Sequence, residues 1–331
     1  MKSKILLLTA VAVSLSFTLA GCQNQSASGD DKIVLKAGFS TGDKDPRVIA
    51  TELFKNEIEQ ATDGRITVEI HPDGELGSDA DLISGVMNGD VDITASSAGN
   101  FANYSSDVGI SALPFLFSDF DEAWKFVDGD IESMAEEGLE DYNIKVLAHY
   151  DNGFRCVTTS AAAGPVDSVA DMENLVIRTP ENQIVMETML ALGAQPKVLE
   201  FTKLYDALKD GSFDAQENPI PVIYNNKLND VQANLAVTNH SYDVMPFVIR
   251  KDVWDKLSEA DQQLIMDAAA KAQERDRTLI KSQTEDYVKK LKEAGMTITY
   301  PDLSEFKSAT TSVYDSLASH YDSKLMEMIK Q

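Results

Sequence analysis

Between Ser258 and Glu293 the chain contains neither glycine nor proline, and Ala, Gln, Lys, Arg and Glu dominate. These residues lose little on entering a helix, so the stretch reads as one continuous helix, straight or bent. At 1.5 Å per residue it would reach about 50 Å, enough to lie across two lobes. No heptad seam is sustained along it, and its charges form a solvated face. A chain of 331 residues is long enough to divide into two lobes rather than close around one core.

The order of elements before that helix supports two lobes. Lys32–Phe39 reads as a strand, followed by a polar turn over Ser40–Asp45. Pro46 starts a helix with apolar residues at helical spacing from Val48 to Ile58. Gly64 ends it, and Arg65–Ile70 alternates as a second strand. Ser78 is placed to cap a helix over Asp79–Met87, and Val91–Ala95 is a third strand. This β-α-β-α-β order predicts a parallel α/β lobe. Ligands of such sheets lie beyond the carboxyl ends of the strands, here Ser40–Asp43 and Ser96–Asn100. Leu113–Phe117 reads as packing, and helices are expected around Asp121–Val127 and Ile131–Tyr142.

Ile144–Tyr150 is extended, Asn152-Gly153 interrupts it, and Phe154–Thr158 resumes. Two extended runs joined end to end are what a crossing between lobes requires. The α/β logic then repeats: strand Leu175–Arg178, helix Glu181–Leu192 ending at Gly193, extended Gln195–Glu200, helix Lys203–Lys209, extended Phe213–Gln216. Leu235–Thr238 and Met245–Arg250 read as strands leading back to the first lobe, and Leu303–Lys330 as one or two amphipathic helices packed outside. The expected division is 32–151 plus about 239–270 for lobe I, 152–238 plus about 271–300 for lobe II, and 301–331 for the C-terminal helices.

Residues 1–22 carry Lys2 and Lys4, an apolar run from Ile5 to Leu19, and Leu19-Ala-Gly-Cys22. The apolar run is short of the roughly 20 residues that span a bilayer, and the ending fits bacterial lipoprotein processing. The expectation is a signal peptide over 1–22, Cys22 lipidated as the mature N-terminus, and a polar tether over 23–31. The body is then extracytoplasmic and lipid-anchored to a bacterial membrane. A formal charge of −25 repels nucleic acid and anionic lipid as main partners. An anionic ligand therefore needs a local cationic site. Cys156 would be the one cysteine left and reads as a small buried hydrophobe.

Signatures of catalysis are missing: no Gly-x-Ser-x-Gly elbow, no His-Glu-x-x-His, no phosphate loop, no Cys-x-x-Cys. His71, His149, His240 and His320 have no ligand-like spacing, and no Asp or Glu pair stands out among so many. No catalytic residue, metal or cofactor is assigned. Arg155 and Arg178 differ from the rest. Each lies in or beside an apolar extended run, Gly-Phe-Arg-Cys-Val and Leu-Val-Ile-Arg-Thr-Pro, where a guanidinium must find an anion. That anion is either one of the chain's own carboxylates or a ligand, and a guanidinium fork matches a carboxylate in two parallel hydrogen bonds.

A set of segments in fixed order and spacing decides how these arginines are weighed: Asn152-Gly-Phe-Arg155, Ala170-Asp-Met-Glu-Asn-Leu-Val-Ile-Arg-Thr-Pro180, Leu192-Gly-Ala194, Leu204–Gly211, Asp214-Ala-Gln-Glu-Asn-Pro219 and Thr238-Asn-His240. With Gly74-Glu-Leu-Gly77, Gly89-Asp-Val-Asp92 and Leu113-Pro-Phe115, the chain closely resembles the solute-binding proteins of tripartite ATP-independent periplasmic (TRAP) transporters. The resemblance covers nearly all of the sequence after the leader.

It implies two α/β lobes of the periplasmic-binding-protein type, a long helix spanning both, and closure around an organic acid. Arg178 would form the main salt bridge to the substrate carboxylate, with Arg155 a second cationic contact. Asn218 would hydrogen-bond the ligand and Phe201 line the pocket, with Asp79 and Ser97 facing them from the first lobe. Ser40 and Asn100 at the strand ends, and Gln216 and His240 in the motifs, complete the expected binding set. Sialic acid binders carry a glutamate where Ser97 stands, which argues against that ligand. Ala215 replaces a usual glycine. The polar Ser96–Asn100 loop favours a sugar acid such as a hexuronate, with C4-dicarboxylates next. Delivery would be to the membrane subunits of a TRAP permease; presentation to a signalling receptor is the alternative. The lobes should open at Tyr150–Asn152 and Thr238–Ser241.

Overall fold

The computed structural model describes residues 32–329. The expected signal peptide, Cys22 and the tether lie outside the described residues.

Caps start the helices where the sequence places them. β1 (Ile33–Gly38) leads into α1 (Pro46–Ala61), whose N-cap Asp45 accepts from the Arg47 backbone N–H, with Pro46 in the first turn. β2 (Ile66–His71) is followed by α2 (Asp79–Asn88). A reciprocal capping box between Ser78 and Asp81 starts α2. After β3 (Ile93–Ala95) come the short α3 (Ala98–Phe101), then α4 (Phe120–Val127) and α5 (Asp130–Glu136). The long strand β4 (Ile144–Thr159) carries the chain to β5 (Val176–Thr179), α6 (Gln183–Ala191), β6 (Gln195–Val198), α7 (Leu204–Lys209), β7 (Ala215–Pro219) and α8 (Ile220–Asn225). β8 (Asn234–Arg250) returns, and α9 (Lys251–Trp254), α10 (Glu259–Glu293), β9 (Thr297–Thr299), α11 (Leu303–Leu317) and α12 (Ser323–Met328) complete the fold.

The strands follow the order β2-β1-β3-β8-β4-β7-β5-β6, with β9 beside β8. β1, β2 and β3 are parallel, as are β5, β6 and β7. β4 and β8 run antiparallel to each other and belong to both halves: Ile144–Asp151 pairs with Val244–Arg250, and Val157–Thr159 with Asn234–Ala236. The result is a two-lobed α/β protein in which two strands are common to both lobes.

Two expectations are corrected here. The interruption at Asn152-Gly153 is a register shift inside one continuous strand, between Asp151 and Gly153. Gly153 takes a φ of +97°, which suits glycine. Leu235–Thr238 and Met245–Arg250 are likewise parts of one strand: residues 241–244 between them pair with β4, and residues 237–240 are absorbed by a further shift opposite Arg155 and Val157. Asn239 sits there with a φ of +42°. Turn-forming residues read in sequence as strand ends are bulges, because pairing continues on either side of them.

α10 is a single 35-residue helix. Its Ile265, Ala268, Ala269 and Ala272 pack into the core of the first lobe with Phe54, Phe247 and Tyr150. Its far end places Leu291 in the core of the second with Ile223, Leu208 and Cys156. Cys156 is buried, and burial pushes its thiol up to about 12, so it behaves as a small apolar residue. α11 is more than an outer cover: Phe306 is fully buried against Ile177 and Met189. Val313 and Leu325 join Ile110 and Leu113 with Ile184 in a cluster made from both lobes. No helix among the described residues is long and apolar enough to cross a membrane.

Candidate functional site

The carboxyl ends of β1 and β3 face those of β5 and β7 across a cleft. It holds a cavity of about 210 Å³ lined by Asp79, Asn100, Tyr104, Arg178, Glu181 and Phe201, among others. This continues into an inner chamber of about 40 Å³ that adds Ser40, Arg47, Ser97, Asn152, Arg155 and Asn218 to its walls. Asp79, Asn100, Arg178, Pro180 and Phe201 line both.

Arg178 projects from β5 and is 2% exposed. Its Nε donates to the Leu199 carbonyl at 2.8 Å. Its Cζ lies 6.0 Å from the centroid of the Phe201 ring. Among the described residues no carboxylate forms a salt bridge with it. Burial pulls its pKa down to about 10, partly offset by Glu217 and Asp79 and reinforced by Arg155. It stays charged at neutral pH, as a desolvated cation with unused donors turned to the cavity.

Arg155 on β4 is equally buried but matched. Its Nη2 donates to Glu217 Oε1 at 2.8 Å and to the Glu217 carbonyl at 3.0 Å, its Nε to Glu217, and its Nη1 to Asp243. Burial opposes its charge, and the two carboxylates more than offset this, raising its pKa. Arg155 thus lines the inner chamber with its charge already neutralised, where the sequence suggested a second cation for the ligand.

The other expected residues fall into two groups. Asp79 accepts from Ser40 Oγ at 3.0 Å and Ser96 Oγ at 3.2 Å, and Asn100 Nδ2 donates to Ser96 Oγ at 3.0 Å. Ser97 Oγ donates to Asp243 at 2.6 Å. Asn218 Nδ2 donates to Gln216 Oε1 at 2.5 Å. These cavity-lining groups are held in place by one another. Gln216 and His240 do not line the cavity. Gln216 donates to Thr158 Oγ1 at 2.8 Å and holds Asn218 from behind. His240 Nδ1 is 2.8 Å from Thr238 Oγ1, and its Nε2 is 3.4 Å from Glu217. Their place in the expected binding set is corrected to support, because both side chains are fully buried among protein partners and off the cavity wall.

Sequence reasoning passed over Arg47, Asn152 and Asp243. Asn152 Nδ2 donates to Asp243 Oδ2 at 2.8 Å, so Asp243 gathers Arg155, Ser97 and Asn152. Arg47 offered one signal: a cation in the first turn of a helix opposes the macrodipole, so it needs a local reason to be there.

The lobes touch around the cleft. Asn103 Nδ2 donates to the Glu181 carbonyl at 2.9 Å, and Asn225 Nδ2 to the Lys44 carbonyl at 3.3 Å. Gly99 faces Asn182, and a β-carbon at 99 would meet the Asn182 amide nitrogen at 1.6 Å. Asn182 cannot swing away freely, because its Oδ1 caps α6 through Ile184 N and Val185 N at 2.9 and 3.2 Å. Losing such a cap costs about 1 kcal/mol. Gly99→Ala is therefore expected to hold the lobes apart and weaken ligand binding by about tenfold. Small-angle scattering with and without ligand checks this: an unchanged radius of gyration difference would show that closure does not need the glycine.

The family model for DctP, bacterial extracellular solute-binding protein family 7, matches residues 37–320. The 2,3-diketo-L-gulonate-binding periplasmic protein YiaO of Escherichia coli K12 is 33% identical over 90% of this chain and 90% of its own. A TRAP periplasmic solute-binding protein from Polaromonas sp. JS666, bound to D-erythronate, superposes with a TM-score of 0.87 at 31% identity, covering 90% of this chain and 98% of that one. Another from Pseudomonas putida F1, with bound D-glucuronate, gives 0.85 at 29% identity, covering 90% and 97%.

Proposed function

This chain belongs to the DctP family of bacterial extracellular solute-binding proteins of TRAP transporters, and from that premise we propose that it captures a sugar acid such as a hexuronate and delivers it to the membrane subunits of a TRAP permease. One observation carries the reading: among the described residues no carboxylate forms a salt bridge with the buried Arg178 guanidinium, in a chain with 54 acidic residues. A charge left in that condition is a receptor for an external anion. The ligand carboxylate meets the fork of Arg178, and Phe201 covers its flank. Asp79, Ser40, Asn100, Ser97 and Asn218 supply donors and acceptors suited to hydroxyl groups. Arg155, tied to Glu217 and Asp243, stiffens the floor of the chamber and orients Asn218. The relatives bound to D-erythronate and D-glucuronate support a hydroxylated acid.

Capture works by lobe closure. A ligand touching both lobes favours the closed arrangement by its differential affinity for it, and the bulges at Asp151–Gly153 and around Asn239 are where β4 and β8 bend. Lipidation at Cys22 would keep the body near its permease. Thermal-shift screening against a library of organic acids is the test. Stabilisation by hydroxylated monocarboxylates is expected; stabilisation by uncharged sugars alone would sink the role of Arg178.

A further inference from the structure

Arg47 lies on the first lobe, 4% exposed, in the wall of the inner chamber. Asp45 holds it side-on: Nε donates to Oδ1 at 2.8 Å and Nη2 to Oδ2 at 2.9 Å. Nη2 also donates to Thr41 Oγ1 at 3.3 Å. Nη1 has no acceptor among the described residues. Arg47 therefore offers the chamber N–H groups whose positive charge is already matched, opposite Arg178, whose charge is not. We infer that Arg47 is a specificity determinant: it donates to a neutral oxygen of the ligand from the first lobe, so that the site takes hydroxylated monocarboxylates and discriminates against dicarboxylates.

This rests on the reading that Arg178 holds the ligand's carboxylate. With that end fixed, a second carboxylate would enter a region where Arg47 has Asp45, Arg155 has Glu217 and Asp243, and Asp79 is held by two serine hydroxyls. No uncompensated cation remains for it among the described residues, and Asp45, Asp79 and Asp243 repel it. A hydroxyl meets no such penalty. It can accept from Arg47 Nη1 and donate to Asp79 or Asp243. Burial works against the charge of Arg47, and Asp45 more than offsets it, with Asp79 and Asp243 acting in the same direction. The three carboxylates are therefore close enough to be felt at this point.

D-erythronate and meso-tartrate make the decisive pair of probes, since both have four carbons and hydroxyls at C2 and C3, and meso-tartrate replaces only the terminal hydroxymethyl group with a second carboxylate. Titration calorimetry on the full-length protein is expected to show D-erythronate and D-glucuronate binding at least about 30-fold more tightly than meso-tartrate. Arg47→Met should weaken the hydroxy acids by about tenfold or more. Asp45→Asn keeps an N-cap residue on α1 but leaves Arg47 uncompensated, so the preference over meso-tartrate should shrink by about tenfold. The second variant answers the question if the first fails to fold. Equal binding of D-erythronate and meso-tartrate by the wild-type protein overturns the inference. So does an unchanged preference in Asp45→Asn. Arg178→Lys in the same series separates the two readings: unaltered binding there removes the anchoring at Arg178, and the inference falls with it. Binding lost with Arg178→Lys but unselective in the wild type removes the role of Arg47 alone.

Discussion

Arg178→Lys is expected to weaken binding of the captured acid by about 30- to 4,000-fold, although the formal charge is kept. Truncating one side of a buried charged pair costs about 2–5 kcal/mol, and each 1.4 kcal/mol is a factor of ten. Lysine recovers little of this. It is a point charge without the planar fork that meets both carboxylate oxygens. It would also lose the paired geometry in which Nε is held by the Leu199 carbonyl while the rest of the fork faces the cleft. An ammonium at this buried position carries a heavier desolvation penalty than the more weakly hydrated guanidinium. Calorimetric titration with D-glucuronate reads the loss directly, and unchanged affinity would make Arg178 a structural residue.

Glu217→Ala should be the most destabilising single change near the site, by about 3–5 kcal/mol. Glu217 is fully buried and shares the Arg155 guanidinium with Asp243. Removing it leaves a buried cation half compensated and a void behind Asn218. Chemical denaturation of the ligand-free protein measures this, and a loss below about 1 kcal/mol would mean that Asp243 alone satisfies Arg155. The pH dependence follows with a definite sign. Burial alone would raise the Glu217 pKa, but Arg155 and then His240 bring it down to about 2. The folded value lies below the ordinary 4.5, so this contribution is present above about pH 4.5 and is lost as pH falls towards 2. Subtracting the stability profile of Glu217→Gln from that of the wild type should isolate this acid-labile component. A difference that does not change between pH 5 and 3 would contradict it.

What the sequence reveals and what it hides divide along contact range. The start of α2 is legible because Ser78 and Asp81 are three residues apart and cap each other. The extent of α10 is legible because nothing in it breaks a helix. Arg178 stands out because it lies in an apolar run, and a buried cation needs an explanation wherever the chain goes. Arg155 lies in the same kind of run, yet its partners are Glu217 and Asp243, far along the chain on two other strands. Nothing local in Gly-Phe-Arg-Cys-Val distinguishes a matched guanidinium from an unmatched one. Arg47 was hidden by Pro46, which draws attention to the helix start and away from the side chain behind it. The broken strands fail for a related reason. Asn152-Gly153 and Asn239 carry the conformations of turns, and only partner strands reveal that pairing continues past them.

The sharing of β4 and β8 also governs how the molecule is made. β3, paired with β1 on one side, finds its second neighbour only when Phe247–Ile249 arrives, and β7 is flanked by β4 and β5 while β4 itself waits for β8 on its other side. During synthesis the first three strands therefore present an open edge until the chain has passed Arg250, and α10, which packs into both cores, comes later still. Such non-local pairing makes folding slow and leaves edges exposed meanwhile. Cutting the gene between lobes would give two fragments, each lacking a central strand of its own sheet. Melting should accordingly be one cooperative event for the whole body, with neither lobe surviving the other.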